Sequence, residues 1–402
     1  MSAIETVTLP RVGVLKMGET IIEKDCTGEG VPIYSADKSN RPWAHSTHFK
    51  RLNKRGTIVL GARGTIGFPR LPRDEEFGAT QTTITLTPDP DIFYSEFVYF
   101  ALQQLDFTLL GAQQAIPMLT VGNLESVTIP KFPKPEQTKI AEILSTVDRA
   151  IEQTEALIAK QQRLKTGLMQ DLLTRGIDEH GNLRSEQTHP FKDSPMGRIP
   201  VEWEAKDLRS FLSYLSYGFT NPMPEAIDGP FLITAANVIN GVVQYDTCRR
   251  TTFEAYTKLL TNKSRPKIGD ILITKDGTLG RMAIVDRSPL CINQSVAVMR
   301  VKEGVDNVFL KLLLESDAYQ RRIMEDSGGS TIKHIYISKI DKMVIAMPQE
   351  RQEQEVLKER LLAQANALLD LESITIKLRA LRTALMQDLL TGRKRVTELL
   401  PD

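Results

Sequence analysis

The heptapeptide LMQDLLT occurs twice, at Leu168–Thr174 and at Leu385–Thr391. The same offset of 217 residues, carried upstream without gaps, aligns Glu136-Gln137 with Glu353-Gln354. Sixteen of the thirty-nine positions from 136 to 174 are identical, among them Glu142/Glu359, Leu144/Leu361, Ala150/Ala367, Glu155/Glu372, Lys160/Lys377 and Leu164/Leu381. This is an internal duplication, which constrains architecture before any other feature. Apolar residues recur mostly three or four apart. They are Ile140, Leu144, Val147, Ile151, Leu157, Leu164, Leu168 and Leu172 in the first copy. In the second they are Leu357, Leu361, Leu368, Leu371, Ile374, Leu378, Leu381 and Leu385. Such spacing predicts amphipathic helices of coiled-coil type. About 38 residues at ~1.5 Å each make a rod of ~57 Å. Pro133 and Pro135 mark the first start and Pro348 the second, while Arg175-Gly176 and Gly392-Arg393 mark the ends. Two unrelated surface helices, each packed on its own domain, are the bland alternative. The identity between the copies favours helices that pair and present equivalent faces to two copies of a partner.

The duplication extends into the globular parts. RGTIVLGARGTIG (Arg55–Gly67) aligns with IGDILITKDGTLG (Ile268–Gly280) at an offset of 213, matching Gly56/Gly269, Gly64/Gly277, Gly67/Gly280 and Thr65/Thr278. At that offset Gln81 meets Gln294. The pattern predicts a strand, a glycine-threonine turn, a strand, and a later strand opened by glutamine. VGNLESVTIP and ISKIDKMVIAMP each look like a last strand feeding a long helix. The expected organisation is α+β: a globular domain over 1–135, a helix over 136–175, a connector over 176–200, a second domain over 201–350, a helix over 351–393 and a tail over 394–402. Each globular part is long enough for its own core.

From Lys38 to Arg73 there are nine Lys/Arg residues and no Asp or Glu. Arg249, Arg250, Lys258, Lys263, Arg265, Lys267, Lys275 and Arg281 form a second basic run, although the net charge is only +1. Paired patches beside matched turns suit phosphate backbone, where either patch alone would read as a solvated face. Side chains able to reach phosphates or base edges are Asn40, Arg63, Gln81, Asn237, Lys275, Arg281 and Gln294. Their neighbours Tyr34, Ser35, Lys38, Arg41, Thr65, Thr82, Thr234, Asp276, Thr278 and Ser295 complete the candidate DNA-binding set. Candidate partner-binding residues are Glu136, Gln137, Glu353 and Gln354 at the helix starts. Gln170, Asp171, Gln387 and Asp388 in the repeated phrase join them.

No catalytic constellation is present. There is no Walker phosphate loop. Asn221–Pro224 (NPMP) lacks the aromatic that would stack a flipped base, and His45 and His48 lack nearby acidic or cysteine partners for a metal. Cys26, Cys248 and Cys291 are far apart and read as reduced, buried thiols of a cytoplasmic protein. No apolar run spans a bilayer, and the N-terminus lacks a signal-peptide core.

These residues resemble a known family, the specificity (S) subunits of Type I restriction-modification systems. The resemblance is carried by the PEQTKI/EQEVLK helix starts, the LMQDLLT ends, the paired G-T-x-G turns and the connector HPFKDSPMGRIPVEWE. It implies two target-recognition domains, each reading half of a split, asymmetric DNA sequence, separated by an antiparallel coiled coil. It also implies docking of two modification subunits, which methylate adenine with S-adenosylmethionine. Restriction subunits using ATP and Mg can join, and no cofactor resides in this chain. Half-sites one DNA turn apart lie ~34 Å from each other, within the reach of the rod. Two other readings remain open: a coiled-coil interaction scaffold without DNA binding, and a KH-like RNA-binding protein suggested by GARG (Gly61–Gly64).

Overall fold

The duplicated segments form the helices that their spacing predicts, at Lys134–Arg175 and Arg351–Leu390. The computed structural model describes residues 4–39, 41–111, 118–325 and 334–400. Asn40, a predicted DNA contact, lies outside them. Pro135 falls in the first turn of the first helix, where its missing N–H costs no hydrogen bond. The second helix stops at Leu390, short of the expected 393, and Gly392 beyond it takes φ +67°. Gly176 does the same after the first, at φ +62°. A Cβ on Gly176 would lie 2.3 Å from a Glu353 carboxylate oxygen and 2.8 Å from the Trp203 ring, so glycine is required there twice over.

Backbone contacts divide the chain into two units, residues 1–157 with 371–402, and residues 158–370. Each contains one globular domain, half of the first helix and half of the second. In the first unit an antiparallel sheet runs Gly13–Met17, Thr83–Pro88, Ile58–Gly61, Pro69–Arg70. In the second the order is Leu212–Tyr217, Val296–Val301, Ile271–Thr274, Met282–Ile284. The register is the same in both, with Ile58 opposite Leu86 and Ile271 opposite Met299. A further sheet contains a parallel pair in each unit: Val31–Tyr34 with Glu76–Ala79, and Glu225–Ile233 with Leu290–Ile292. The last strands, Thr128–Pro130 and Val344–Pro348, feed the long helices. Cys291 is buried and its thiol is pushed up to about 12 by that burial, whereas Cys26 and Cys248 are only half-buried.

The repeated phrase has a packing role. Leu172 and Leu173, ending the first helix, are buried in the core of the second globular domain with Trp203, Leu357 and Leu361. Leu389 and Leu390, ending the second helix, are buried in the core of the first with Ile140, Leu144 and Phe132. Each domain is therefore closed by the start of the helix that follows it and by the end of the other helix. The same apolar letters fill equivalent slots, which is why the phrase recurs.

The seam differs from the expected leucine stripe. Leu157, Leu164, Ile374 and Leu381 are 40–51% exposed. An alternation of three and four runs through covered positions along each helix: Ile151, Thr154, Ile158, Gln161, Lys165, Leu168, Leu172, and Leu361, Gln364, Leu368, Leu371, Thr375, Leu378, Arg382. Period, rather than apolar identity, selects the seam. Thr154 and Thr375 bond back to their own helices, whereas the glutamines and Arg382 pair across the seam, as do the flanking Arg379 and Glu155. In the first unit Arg382 grips Asp148, and Arg379 is 2.6 Å from Glu155. In the second, Gln364 Nε2 donates to Gln161 Oε1 at 2.7 Å. Later residues of one helix meet earlier residues of the other, so the pairing within each unit is antiparallel.

Both helix starts are held in the same way. Gln137 Nε2 donates to the Phe132 and Ile92 carbonyls, and its Oε1 accepts from Tyr94 N. Gln354 Nε2 donates to the Pro348 carbonyl and its Oε1 accepts from Asp306 N. Glu136 accepts from Arg395 Nε at 2.9 Å. Glu353 accepts from Arg184, from Trp203 Nε1 at 3.2 Å and from Ile177 N at 3.0 Å. Glu136, Gln137, Glu353 and Gln354 are thus committed inside their own units, which corrects their assignment as partner-docking residues. Asp171 pairs with Arg175, and Asp388 with Lys394. Gln170 and Gln387 remain exposed.

Removing Glu353 strands the buried Arg184, whereas Arg395 beside Glu136 is about half exposed and can turn to water. Breaking a buried pair costs about 3–5 kcal/mol. Glu353→Ala is expected near the lower end of that range, because Glu202 lies 3.9 Å from Arg184. Glu136→Ala should cost about half as much. Urea unfolding of the two variants checks the order, and equal losses would contradict it.

Candidate DNA-recognition faces

In both domains the turn after the inner strand is held by the same backbone bonds. Gly67 N donates to the Gly61 carbonyl at 2.7 Å, as Gly280 N does to Thr274 at 2.8 Å. Gly64 and Gly277, at φ +77° and +76°, make the left-handed step that lets the adjoining side chains project. Gln81 and Gln294 occupy short turns before the next strand, where their backbone N–H groups bond to the carbonyls of Glu19 and Phe219. Both side chains are exposed. Gln81 Oε1 accepts from Thr20 Oγ1 at 2.9 Å, which leaves its amide hydrogens outward.

Around these projecting groups lies a hydroxyl and amide network that holds the loops. Thr82 Oγ1 is 2.7 Å from Thr80 Oγ1 and 3.1 Å from Ser35 Oγ. Ser295 Oγ accepts from Ala235 N and donates to Asn293. Asn237 is buried, accepting from the Thr234 backbone and hydroxyl. Tyr34 is also buried, with its hydroxyl on Asp74. Burial, aided by the Asp74 carboxylate, raises its phenol well above the usual tyrosine range. Lys275 is 6% exposed, with Nζ 3.1 Å from Asp276. Tyr34, Asn237 and Lys275 therefore support the face from within, which corrects their placement as direct contacts. Lys38, Arg41, Arg63, Gln81, Thr278, Arg281 and Gln294 are exposed, with Thr65 and Asp276 partly so.

The two basic runs are unequal. In the first, Arg51, Arg55 and Arg70 pair with Glu19, Glu75 and Asp37. Lys38, Arg41, Lys50, Lys54, Arg63 and Arg73 are exposed, with no carboxylate partner among the described residues. In the second, Arg249, Arg250, Lys258 and Lys275 are matched by Glu225, Asp228, Glu254 and Asp276. Arg265 is spent on the carbonyls of Tyr256, Thr257 and Leu260. Lys263, Lys267 and Arg281 are left. The expectation of equivalent patches is corrected: Glu225 and Asp228, distant in sequence, and Glu254 and Asp276, within the run, neutralise much of the second.

The family model for the Type I restriction modification DNA specificity domain matches residues 1–161 and 232–379. The chain belongs to that family. Its role is DNA sequence specificity within a Type I restriction-modification system. It is 23% identical over 356 residues to the Type I restriction enzyme MjaVIII specificity subunit of Methanocaldococcus jannaschii, covering 86% of this chain and 77% of that one. It is 28% identical over 302 residues to the putative MjaX specificity subunit of the same organism, covering 71% and 64%. Its fold is that of a Type-I restriction-modification S subunit from M. genitalium, with TM-score 0.63, 19% identity, and coverage of 100% and 98%. The scaffold and KH readings fall with this membership, and GARG ends a strand within a β-sheet.

Sequence reasoning overlooked Met118 and His334, which come against Arg63 and Asp276 from more than fifty residues away. It also passed over Trp43 and Tyr217, each 49% exposed. For Trp43 the available signal was an aromatic residue inside a basic run, whereas Tyr217 lies far from the second run in sequence and meets it only through Lys275.

Each lost phosphate contact lowers the salt slope of binding by about 0.9. Arg41→Ala in the assembled complex should therefore weaken binding to all sequences alike and flatten log Kd against log salt by roughly that amount. Arg70→Ala, which deletes a buried side chain stacked on Tyr34, should lower thermal stability and leave the slope unchanged. The reverse pattern would mean that the exposed cations do not meet backbone.

Proposed function

We propose that each globular domain reads one half of a bipartite, asymmetric DNA target, and that the paired helices dock two methyltransferase subunits. Restriction subunits can join that assembly. The carrying observation is that two domains share one backbone frame and register yet hold different side chains at matched positions. A pseudo-twofold chain offers equivalent surfaces to a symmetric pair of partners, and unlike a homodimer it need not read a palindrome. The exposed positions of the helices, including Gln170 and Gln387 of the repeated phrase, are the available docking surface. S-adenosylmethionine, ATP and Mg belong to the partners in this reading, and the chain itself performs no chemistry.

The test is reconstitution. The purified chain should not methylate DNA alone, and with a modification subunit it should direct adenine methylation to one split sequence. Gln81→Ala should relax only the first half-site and Gln294→Ala only the second, each by about 1–3 kcal/mol of discrimination, or 5- to 150-fold. Methylation by the chain alone, or equal damage to both half-sites from either substitution, would overturn the assignment.

A further inference from the structure

One spot beside the glycine turn carries opposite chemistry in the two domains. Backbone bonds fix the equivalence. Ala62 N donates to the Thr82 carbonyl at 2.7 Å, as Lys275 N does to Ser295 at 2.9 Å. Leu119 N donates to the Ala62 carbonyl at 2.8 Å, as Ile335 N does to Lys275 at 2.9 Å. Arg63 therefore stands where Asp276 does, and Met118 where His334 does.

The side chains meet in both places. Arg63 Nε lies 2.9 Å from Met118 Sδ. In the other domain His334 Nδ1 is hydrogen-bonded to Asp276 Oδ1, and the buried Lys275 Nζ is 3.1 Å from Asp276 Oδ2. Lys275 is itself backed by the Tyr217 ring at 5.5 Å, and Tyr336 packs edge-on against His334 at 4.9 Å between centroids. The first domain has Ala62 and Met17 where Lys275 and Tyr217 stand, so this buttress belongs to the second domain alone.

The chemistry follows from donor and acceptor counts. An arginine is donor-only, whereas an ionised carboxylate is acceptor-only with about four lone-pair sites. His334 and Lys275 each occupy one oxygen of Asp276, which fixes the carboxylate plane and leaves acceptor capacity on a side chain still 27% exposed. In the major groove the cytosine edge offers an amino donor that suits a carboxylate, and guanine offers two acceptors that suit arginine.

We propose that this spot is where the two domains diverge in base choice. Arg63 takes a guanine in the first half-site, and Asp276 takes the exocyclic amino group of a cytosine in the second, with His334 and Lys275 as positioning residues. This assignment rests on the two-reader function above. It makes specificity depend on a residue, His334, that does not itself reach the base.

The test is the methylated-adenine motif produced by the reconstituted complex on a DNA library randomised over both half-sites. The wild-type motif should contain a C·G pair in each half. Asp276→Asn converts the acceptor into an amide suited to adenine, so preference at one position of the second half-site should move from cytosine toward adenine by about tenfold or more. The first half-site should be untouched. Arg63→Gln, at an exposed site where folding is not at issue, should move one position of the first half-site from guanine toward adenine. His334→Ala should relax the Asp276 position, and His334→Gln, which keeps a donor to the carboxylate, should restore part of the preference. Unchanged motifs in these variants, with only lower yield or melting temperature, would show a purely structural cluster and overturn the inference. A wild-type motif lacking C·G in either half would overturn it as well. A wild-type complex with no split motif at all would instead defeat the two-reader reading.

Discussion

Everything in this architecture depends on two buried carboxylates, Glu136 and Glu353. Each lies at the start of a long helix and is held by an arginine that follows the end of the other helix, Arg395 and Arg184 respectively. A buried carboxylate without its cation is costly, so neither helix start is satisfied until a distant part of the chain has arrived. The apolar residues act in concert. Leu389 and Leu390 plug the first domain, and Leu172 and Leu173 plug the second. Antiparallel pairing within each unit is thus enforced at its ends by ion pairs and core burial, and the seam between can tolerate glutamine, threonine and arginine.

That tolerance explains how one chain holds two unlike readers. The domain framework is set by matched strands, matched turns and a matched glutamine staple at each helix start. None of these depends on what projects from the glycine turn, and the exposed positions are free to differ. Arg63 and Asp276 occupy one frame with opposite polarity. The surrounding charge differs too, since among the described residues the first basic run keeps six cations without a carboxylate partner and the second three. Surface charge and the side chain beside the glycine turn thereby vary independently on the same fold.

The sequence made the repeat, both long helices and the paired turns legible, because these rest on local period and glycine placement. The seam was less legible. Following apolar letters leads to Leu157 and Leu164, whereas the alternation of three and four leads to Ile158 and Gln161. Burial of polar candidates was invisible for another reason. Tyr34, Asn237 and Lys275 look like surface groups until Asp74, Thr234 and Asp276 are seen to satisfy them. Likewise Glu225 and Asp228 neutralise Arg249 and Arg250 across strands more than twenty residues apart, which no composition window detects.

The central claim is antiparallel pairing of the two helices in a fixed register, and it has a direct measurement. Gln161 and Gln364 bond to each other in the seam. With both changed to cysteine, a short bismaleimide should bridge the two within one chain, and mass spectrometry of the peptides should place the bridge between positions 161 and 364 in a complex that still binds its DNA. Failure of that bridge to form, or a bridge found only between separate chains, would contradict the account.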